Sequence, residues 1–305
     1  MNPSLPAEGF GAETGALVLS LRAALVDSTL ASELDLEPKD ARGTLADLTL
    51  VELDLRATVA ILPRMAVDLL VPVKVGAVRS VRILGPWGAQ TSAQRSTIAG
   101  FGDSELSLRL RAVADANFTL DLRAGLTIPL GLSLPDPAEA FARDAAGARS
   151  VVGGPALGAL APTPAIALGR GATELVVGAQ ARRLLGPGVA LIGFGYARSP
   201  LTRTALGVQN GGRISGGIGV ELASERLRAG LIPALYHEGP DRWLDGVIVA
   251  GTGRTDLAIT GSLTLFASAP WPLELSLTLP LTLAVSAGAP HSGAATLALL
   301  LSHAF

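Results

Sequence analysis

The stretch "PLELSLTLPLTLAV", residues 272–285, decides the fold, because leucine recurs in it at every second position. The leucines from Leu273 to Leu283 share one face of an extended chain, and polar residues such as Glu274 and Thr282 share the other. A repeat of two residues is typical of a β-strand, and the interrupting prolines exclude a membrane-spanning helix.

The same alternation returns along the chain and predicts about twelve strands. The predicted strands are residues 14–26, 45–61, 65–78, 103–114, 118–130, 172–184, 188–198, 213–224, 227–237, 255–268, 272–286 and 295–305.

The connections between these strands alternate in length. Very short turns, such as Pro63-Arg64 and Gly186-Pro187, are followed by long loops rich in Gly, Pro, Asp and Asn. Short turns at one end, long loops at the other and an even strand number are typical of an up-and-down antiparallel transmembrane β-barrel. We therefore expect an all-β chain with one barrel domain over residues 1–305, with a β-sandwich of two sheets as the alternative.

Composition narrows the function classes. Charged residues make up only 16% of the chain, the net charge is -2, and aromatic residues are only 4%. A nucleic-acid partner is therefore not expected. The chain has no cysteine, which excludes disulfides and thiolate metal sites. No signal peptide is expected in this numbering, because the first fifteen residues lack a basic region followed by an apolar one.

The orientation of the two faces follows from barrel size. A ring of twelve strands leaves a hollow that leucines cannot fill, so we expect the leucines to face lipid and the polar rows to line a wet lumen. The expected lumen-lining charges are Glu52, Asp54, Arg56, Glu105, Arg109, Arg111, Asp121, Arg123, Glu174, Arg182, Arg213, Glu221, Arg228 and Glu274. Both signs are interspersed, which fits bracing ion pairs and also a weakly selective channel.

Four further features carry local predictions. A short loop helix is expected near residues 137–146, because Asp136 can cap it and Pro137 suits its first position.

The three residues Gly100, Gly102 and Asp103 are expected where a long loop enters a strand, with the glycines at positive φ and Asp103 accepting amide hydrogen bonds. Phe305 is expected to end the strand that closes the barrel on the first strand.

Four prolines fall late in alternate strands, which suggests bulges in the sheet. They are Pro72, Pro129, Pro233 and Pro280.

Enzyme and metal chemistry find little support in the sequence. His237, His291 and His303 are far apart and have no ligand spacing, so no metal and no cofactor are expected. His237 beside Glu238 is the remaining catalytic candidate, and no serine partner is marked. We therefore expect a protein that is not an enzyme.

Several segments resemble the outer-membrane proteins grouped as the meta-pathway phenol-degradation transporter family. They are "GFGDSELSLRLRA" at 100–112, "LTIPLG" at 126–131, "ATELVVGAQARRLLGPGVALIGFGYA" at 172–197 and the terminal Phe305. The resemblance covers roughly residues 45–305, and it departs from the family pattern where Leu110 replaces a tyrosine and His303 an aromatic residue.

This resemblance implies a barrel in the outer membrane of a Gram-negative cell that passes small solutes, hydrophobic or aromatic ones among them. Its partners would be membrane lipid and the solute, and the sequence leaves the oligomeric state open. The alternative function is a structural or surface-assembly barrel that transports nothing and whose loops bind a partner. A third alternative, a membrane hydrolase, would need a serine within hydrogen-bond reach of His237.

Overall fold

Thirteen β-strands make up the chain in a computed structural model that describes residues 17–35, 42–84, 90–131, 170–204, 208–242, 246, 253–265, 272–285 and 295–304. The strands are β1 (Leu17–Asp35), β2 (Arg42–Leu62), β3 (Met65–Leu84), β4 (Gln90–Phe101), β5 (Ser104–Ala114), β6 (Phe118–Ile128), β7 (Glu174–Gly186), β8 (Val189–Pro200), β9 (Arg213–Ala223), β10 (Leu227–Glu238), β11 (Arg254–Leu265), β12 (Leu273–Val285) and β13 (Ala295–Ala304).

The strands pair into a closed antiparallel ring. Each strand from β5 to β12 pairs with the next one along the chain, and β3 pairs with both β2 and β5. The ring closes because β1 pairs with β2 on one side and with β13 on the other, where Val18 lies opposite Ala304. A closed sheet has no unpaired edge, which is the condition for crossing hydrocarbon with strands.

The thirteen strands occupy twelve positions in this ring. β3 pairs with β5 from Met65 to Leu70 and with β4 from Val73 to Ile83, so β4 and β5 follow one another along the same side of β3. The joint is fixed by the Gly102 amide, which donates to the Pro72 carbonyl oxygen at 2.8 Å. The expected count of twelve strands therefore holds for positions in the ring, and β4 is the strand that the sequence did not predict.

The first four strands continue beyond the ring on the side of the long loops. β1, β2 and β3 have 19, 21 and 20 residues, whereas a tilted strand needs only about 9–11 to cross a bilayer. Pairing of β1 with β13 stops at Asp27, while pairing of β1 with β2 continues to Asp35. The outer parts of β1 to β4 thus form a four-stranded sheet that projects from one side of the barrel.

The large apolar side chains face outward. On β5, Leu106, Leu108 and Leu110 are exposed, whereas the intervening Glu105 and Arg109 are buried. The same alternation holds on β9, where Ile218 is 65% exposed. A water-soluble barrel would have the reverse pattern, so the expected outward orientation of the apolar rows is confirmed.

The prolines lie where the hydrogen-bond ladder is interrupted rather than at bulges. Pro72 falls between the end of the β3–β5 pairing and the start of the β3–β4 pairing. Pro280 lies beyond Thr278, the last residue of β12 that pairs with β13. Pro233 falls in a gap of the β9–β10 register. In each place the missing N–H costs no ladder bond, which explains why proline is tolerated there.

Some predictions fall outside the described residues. These are the helix at 137–146 and the terminal Phe305. Among the residues that the structure describes, no helix is long and apolar enough to cross a membrane.

Candidate functional site: the barrel lumen

The charged residues expected in the lumen lie on the inner face of the ring. Glu105, Arg109, Asp121, Glu174 and Glu221 are each less than 9% exposed. The others are half-buried: Glu52, Asp54, Arg56, Arg111, Arg123, Arg182, Arg213, Arg228 and Glu274. Their outward neighbours on the same strands are mostly exposed leucine, isoleucine or valine, so the alternation separates a charged inner surface from an apolar outer one.

Short-range ion pairs connect neighbouring positions of the ring. Arg109 on β5 donates to Asp68 on β3 at 3.1 Å, and the Thr58 hydroxyl on β2 donates to the same carboxylate at 2.5 Å. Arg111 on β5 binds both carboxylate oxygens of Asp121 on β6, at 2.8 and 3.1 Å. Such two-oxygen pairing fixes the planes of both groups and braces the sheet.

Some ion pairs also reach across the curved wall between strands that are not neighbours. Glu105 on β5 binds Arg123 from the neighbouring β6 at 2.6 Å, and it also binds Arg198 from β8, three positions away, at 2.6 Å. The second pair bridges the positions of β6 and β7, so its side chains extend into the lumen.

Glu174 and Glu221 likewise each contact arginines from two other strands. Glu174 on β7 binds Arg213 from β9 and lies 3.9 Å from Arg198 on β8. Glu221 on β9 binds Arg182 from β7 at 2.8 Å and lies 3.8 Å from Arg228 on β10. Because the carboxylates are almost fully buried beneath the guanidinium groups, these bridges narrow the lumen along the side formed by β5 to β10.

The rim near the long loops is held by two carboxylates. The Asp103 carboxylate accepts the Gly131 amide at 3.1 Å and the Arg170 amide at 2.5 Å, and so joins the end of β6 to the start of β7. Asp241 accepts the Gly211 amide at 2.6 Å. Burial raises the pKa of both aspartates, although these hydrogen bonds act in the opposite direction.

Arg170 is the cation at the centre of this rim. Its guanidinium pairs with Glu238, with Asp241 at 3.1 Å and with Glu174 at 3.4 Å. Burial alone would lower the pKa of Arg170, but the three carboxylates together raise it above its ordinary value. Arg170 therefore stays charged and ties the start of β7 to the loop after β10.

Gly100, Gly102 and Asp103 lie at the joint between two strands rather than at the entry from a long loop. Gly100 pairs with Lys74 inside β4, and β4 is the strand that precedes the joint. Positive φ occurs at other described glycines, such as Gly188 in the β7–β8 turn, and not at these two. The expected amide acceptor role of Asp103 is the part that the structure shows.

An apolar strip interrupts the charged lumen along β8. Ile192 and Phe194 are buried on the inner face, next to Tyr196, and the two aromatic rings lie 5.8 Å apart at an angle of 36°. Glycines provide the space: a Cβ on Gly178 would collide with the Tyr196 ring, and one on Gly217 would lie 2.9 Å from Phe194 Cε1. The glycine-rich segments thus serve aromatic packing.

Sequence reasoning missed several members of the site. Asp68 lies in inward register, but apolar residues flank it on both faces of its strand, and Arg198 is the last residue of its predicted strand. Arg170 and Asp241 lie outside the strands and carry no period at all. Asp68 and Arg198 could have been found by following the strand period to the ends of residues 65–78 and 188–198.

The histidine considered for catalysis, His237, lies on the exposed surface and not in the charged lumen. His237 Nδ1 lies 2.9 Å from the Thr255 hydroxyl, on an exposed part of β10. In the part of the chain that the structure describes, no group of three or more His, Asp or Glu side chains is arranged to hold a metal ion.

Comparison with known proteins rests on structure. No protein-family model and no curated protein matches the chain. An outer-membrane channel from Pseudomonas putida F1 superposes with a TM-score of 0.61 over 98% of this chain and 99% of that chain, at 15% identity. The chain has the fold of an outer-membrane channel barrel. This likeness confirms the β-barrel fold that the sequence patterns predicted.

Other outer-membrane barrels superpose less well. For the CymD monoaromatic hydrocarbon channel the TM-score is 0.42, with 8% identity over 97% of this chain and 90% of that chain. For the translocator domain of the autotransporter NalP from Neisseria meningitidis it is 0.43, with 11% identity over 97% and 90%.

Proposed function

We propose that this barrel lies in the outer membrane of a Gram-negative cell and passes small solutes, hydrophobic and aromatic ones among them, passively through its lumen. The observation that carries the proposal is the inversion of polarity across the wall. Exposed leucine, isoleucine and valine side chains cover the outside, and charged side chains cover the inside. Such a wall suits a ring with lipid outside and water within.

The apolar strip on β8 supports passage of solutes with an apolar part. The half-buried Tyr196 gives a molecule with a ring a surface to pack on, Phe194 supports it from 5.8 Å away, and the nearby charges keep the remaining wall hydrated.

Liposome swelling with purified protein tests the proposal. Arabinose and other small solutes should enter proteoliposomes faster than protein-free liposomes. The Arg198→Ala variant should increase the rate, because it removes the side chain that bridges Glu105 and Glu174. Both carboxylates keep another arginine, Arg123 and Arg213, so no buried charge is left alone.

Arg183→Ala is the matched control. Arg183 is an exposed arginine on β7, one residue beyond the inward-facing Arg182, and it should leave the swelling rate unchanged. If neither the parent protein nor the Arg198→Ala variant admits any solute above empty liposomes, the channel function is wrong.

One observation favours the second candidate, a barrel that transports nothing and serves as a structural or surface-assembly platform. The bridges from β5 to β8 and from β7 to β9 narrow the lumen on one side, and their carboxylates are 2–6% exposed. A lumen that stays closed in the swelling assay after Arg198→Ala would establish this candidate over the channel.

A further inference from the structure

Three arginines converge on one level of the lumen. Arg109 and Arg123 are each the sixth of the eleven residues in their strands, and they are directly opposite one another in the β5–β6 register. Arg56 on β2 belongs to this region of the wall, because Leu70 on β3 is opposite both Arg56 and Glu105. Like charges at opposed positions of a sheet repel each other, so this arrangement needs anionic partners.

Among the residues that the structure describes, two carboxylates act on this cluster, Asp68 and Glu105, and both are engaged by other groups. Asp68 accepts Thr58 and Arg109. Glu105 takes Arg123 on one oxygen and Arg198 on the other. Three guanidinium groups and two carboxylates leave one positive charge without a direct partner. Arg198 also pairs with Glu105, which adds a fourth cation.

Arg56 is the residue left over. Its Nε is buried and has no hydrogen-bond partner, and none of the ion pairs within the described ranges includes it. Asp68 and Glu105 act on Arg56 only through the longer-range field. A buried Nε–H without an acceptor is costly, and a guanidinium without an ion-pair partner keeps donors that a ligand carboxylate can use.

An aromatic side chain lies at the same level. Tyr196 on β8 is opposite Gly178 on β7, and Gly178 is opposite Arg123 on β6. Phe194, 5.8 Å from it, extends the aromatic surface along the inner face of β8. The level therefore offers positive charge on one side of the lumen and an apolar, ring-shaped surface on the other.

We propose that Arg56, Arg109 and Arg123, together with Tyr196 and Phe194, form a binding site in the lumen for small aromatic carboxylates. The carboxylate of the ligand takes the two-donor edge of Arg56, and its ring packs on the aromatic pair. Guanidinium groups match a carboxylate in shape and charge, and aromatic rings prefer offset or edge-on contact. This site rests on the proposed function, because it makes aromatic acids the favoured solutes of the channel.

Calorimetric titration of the purified barrel in detergent micelles tests the site with benzoate, benzamide and acetate. Benzamide has the shape of benzoate without its charge, and acetate has the charge without the ring. Benzoate should bind saturably, and each of the other two should bind roughly tenfold more weakly or worse, the size expected for loss of one charge-assisted contact. Protein-free micelles correct for partition of the ring compounds.

Variants separate a binding role from a structural one. Arg56→Gln should weaken benzoate roughly tenfold, leave benzamide unchanged, and leave the barrel as resistant to urea as before, since it removes a repelled cation. Arg56→Lys keeps the charge and should restore part of the benzoate affinity. Arg228→Gln is the matched control, because Arg228 pairs with Glu221 away from this level and should not affect benzoate.

The proposal is overturned if benzamide binds as tightly as benzoate, or if Arg228→Gln weakens benzoate as much as Arg56→Gln does. Loss of urea resistance in Arg56→Gln without a change in benzoate affinity would make Arg56 a structural residue and would also overturn it. The site and the channel can fail separately. Swelling without benzoate preference refutes the site alone, and benzoate binding without swelling refutes the channel alone.

Discussion

Ile218→Arg tests the orientation of the wall, on which the function depends. Ile218 is the middle residue of β9 (Arg213–Ala223) and is 65% exposed on the outer face. The ten steps between the eleven residues of β9, at about 3.3 Å each and a tilt of about 45°, span roughly 23 Å, close to the apolar band of about 25 Å. Ile218 therefore lies near the centre of the bilayer, about 12 Å from either surface.

The expected loss of unfolding free energy is about 2–4 kcal/mol, the cost of an arginine at the midplane of a lipid-facing strand. Gln180→Arg is the matched control at the same depth. Gln180 is the seventh of thirteen residues in β7, faces inward, is half-buried, and lies opposite Asp121 on β6. An arginine there meets water and a carboxylate, so the loss should stay below about 1 kcal/mol.

Reversible urea unfolding in phospholipid vesicles, followed by tryptophan fluorescence, measures both variants. A third variant, Ile218→Ala, removes the apolar side chain without adding a charge and should fall between them. If Ile218→Arg and Gln180→Arg lose the same free energy within about 0.5 kcal/mol, the outer face does not contact lipid, and the channel proposal loses its basis.

Two further predictions concern the turn and the rim. Gly188→Ala should destabilise the barrel by at least about 1–2 kcal/mol in the same assay, because Gly188 has a φ of 72° and a Cβ would lie 2.5 Å from the Ala223 carbonyl oxygen. Gly186→Ala is the control, because Gly186 has open space around it, and this variant should have almost no effect. Equal losses of unfolding free energy in the two variants would contradict this explanation. Asp103→Asn should change the pH dependence of stability. Because burial raises the pKa of Asp103, the folded protein binds the proton of this carboxyl group more tightly than the unfolded chain does. The contribution of protonated Asp103 to stability is therefore present below about pH 4 and is lost as the pH rises through the raised pKa. The parent protein should therefore gain stability relative to the Asp103→Asn variant between pH 7 and pH 4, and a constant difference would refute the effect.

The alternation of side chains was enough to predict most strands and the direction of their faces. In β5, β9 and β12 a leucine, isoleucine or valine follows nearly every polar residue, so one period determines both the strand and its outer face. Barrel closure then followed from the even number of strands and from the docked carboxy-terminal strand, which pairs with β1.

The sequence did not predict strands in which polar residues occur at both odd and even positions. β4 contains the run "QTSAQRSTIAGF" from Gln90 to Phe101, which has no apolar period and was not predicted as a strand. The outer parts of β1 and β2 were cut short for the same reason, since residues 27–35 mix charged, polar and apolar types without order. A strand that projects beyond the bilayer has no lipid-facing side, so the physical cause of alternation is missing there.

The arrangement of charges in the lumen could not follow from the strand pattern alone. Alternation places Glu105 and Arg198 on inner faces, but only the curvature of the closed ring brings their side chains, from strands three positions apart, within 2.6 Å of one another. The partner of each charge therefore depends on the global shape and not on sequence spacing. Within the described part of the chain, Asp68 and Glu105 pair with Arg109, Arg123 and Arg198, and no ion pair includes Arg56. The proposed site for aromatic carboxylates therefore depends on the assembled barrel and could not be predicted from the spacing of residues along one strand.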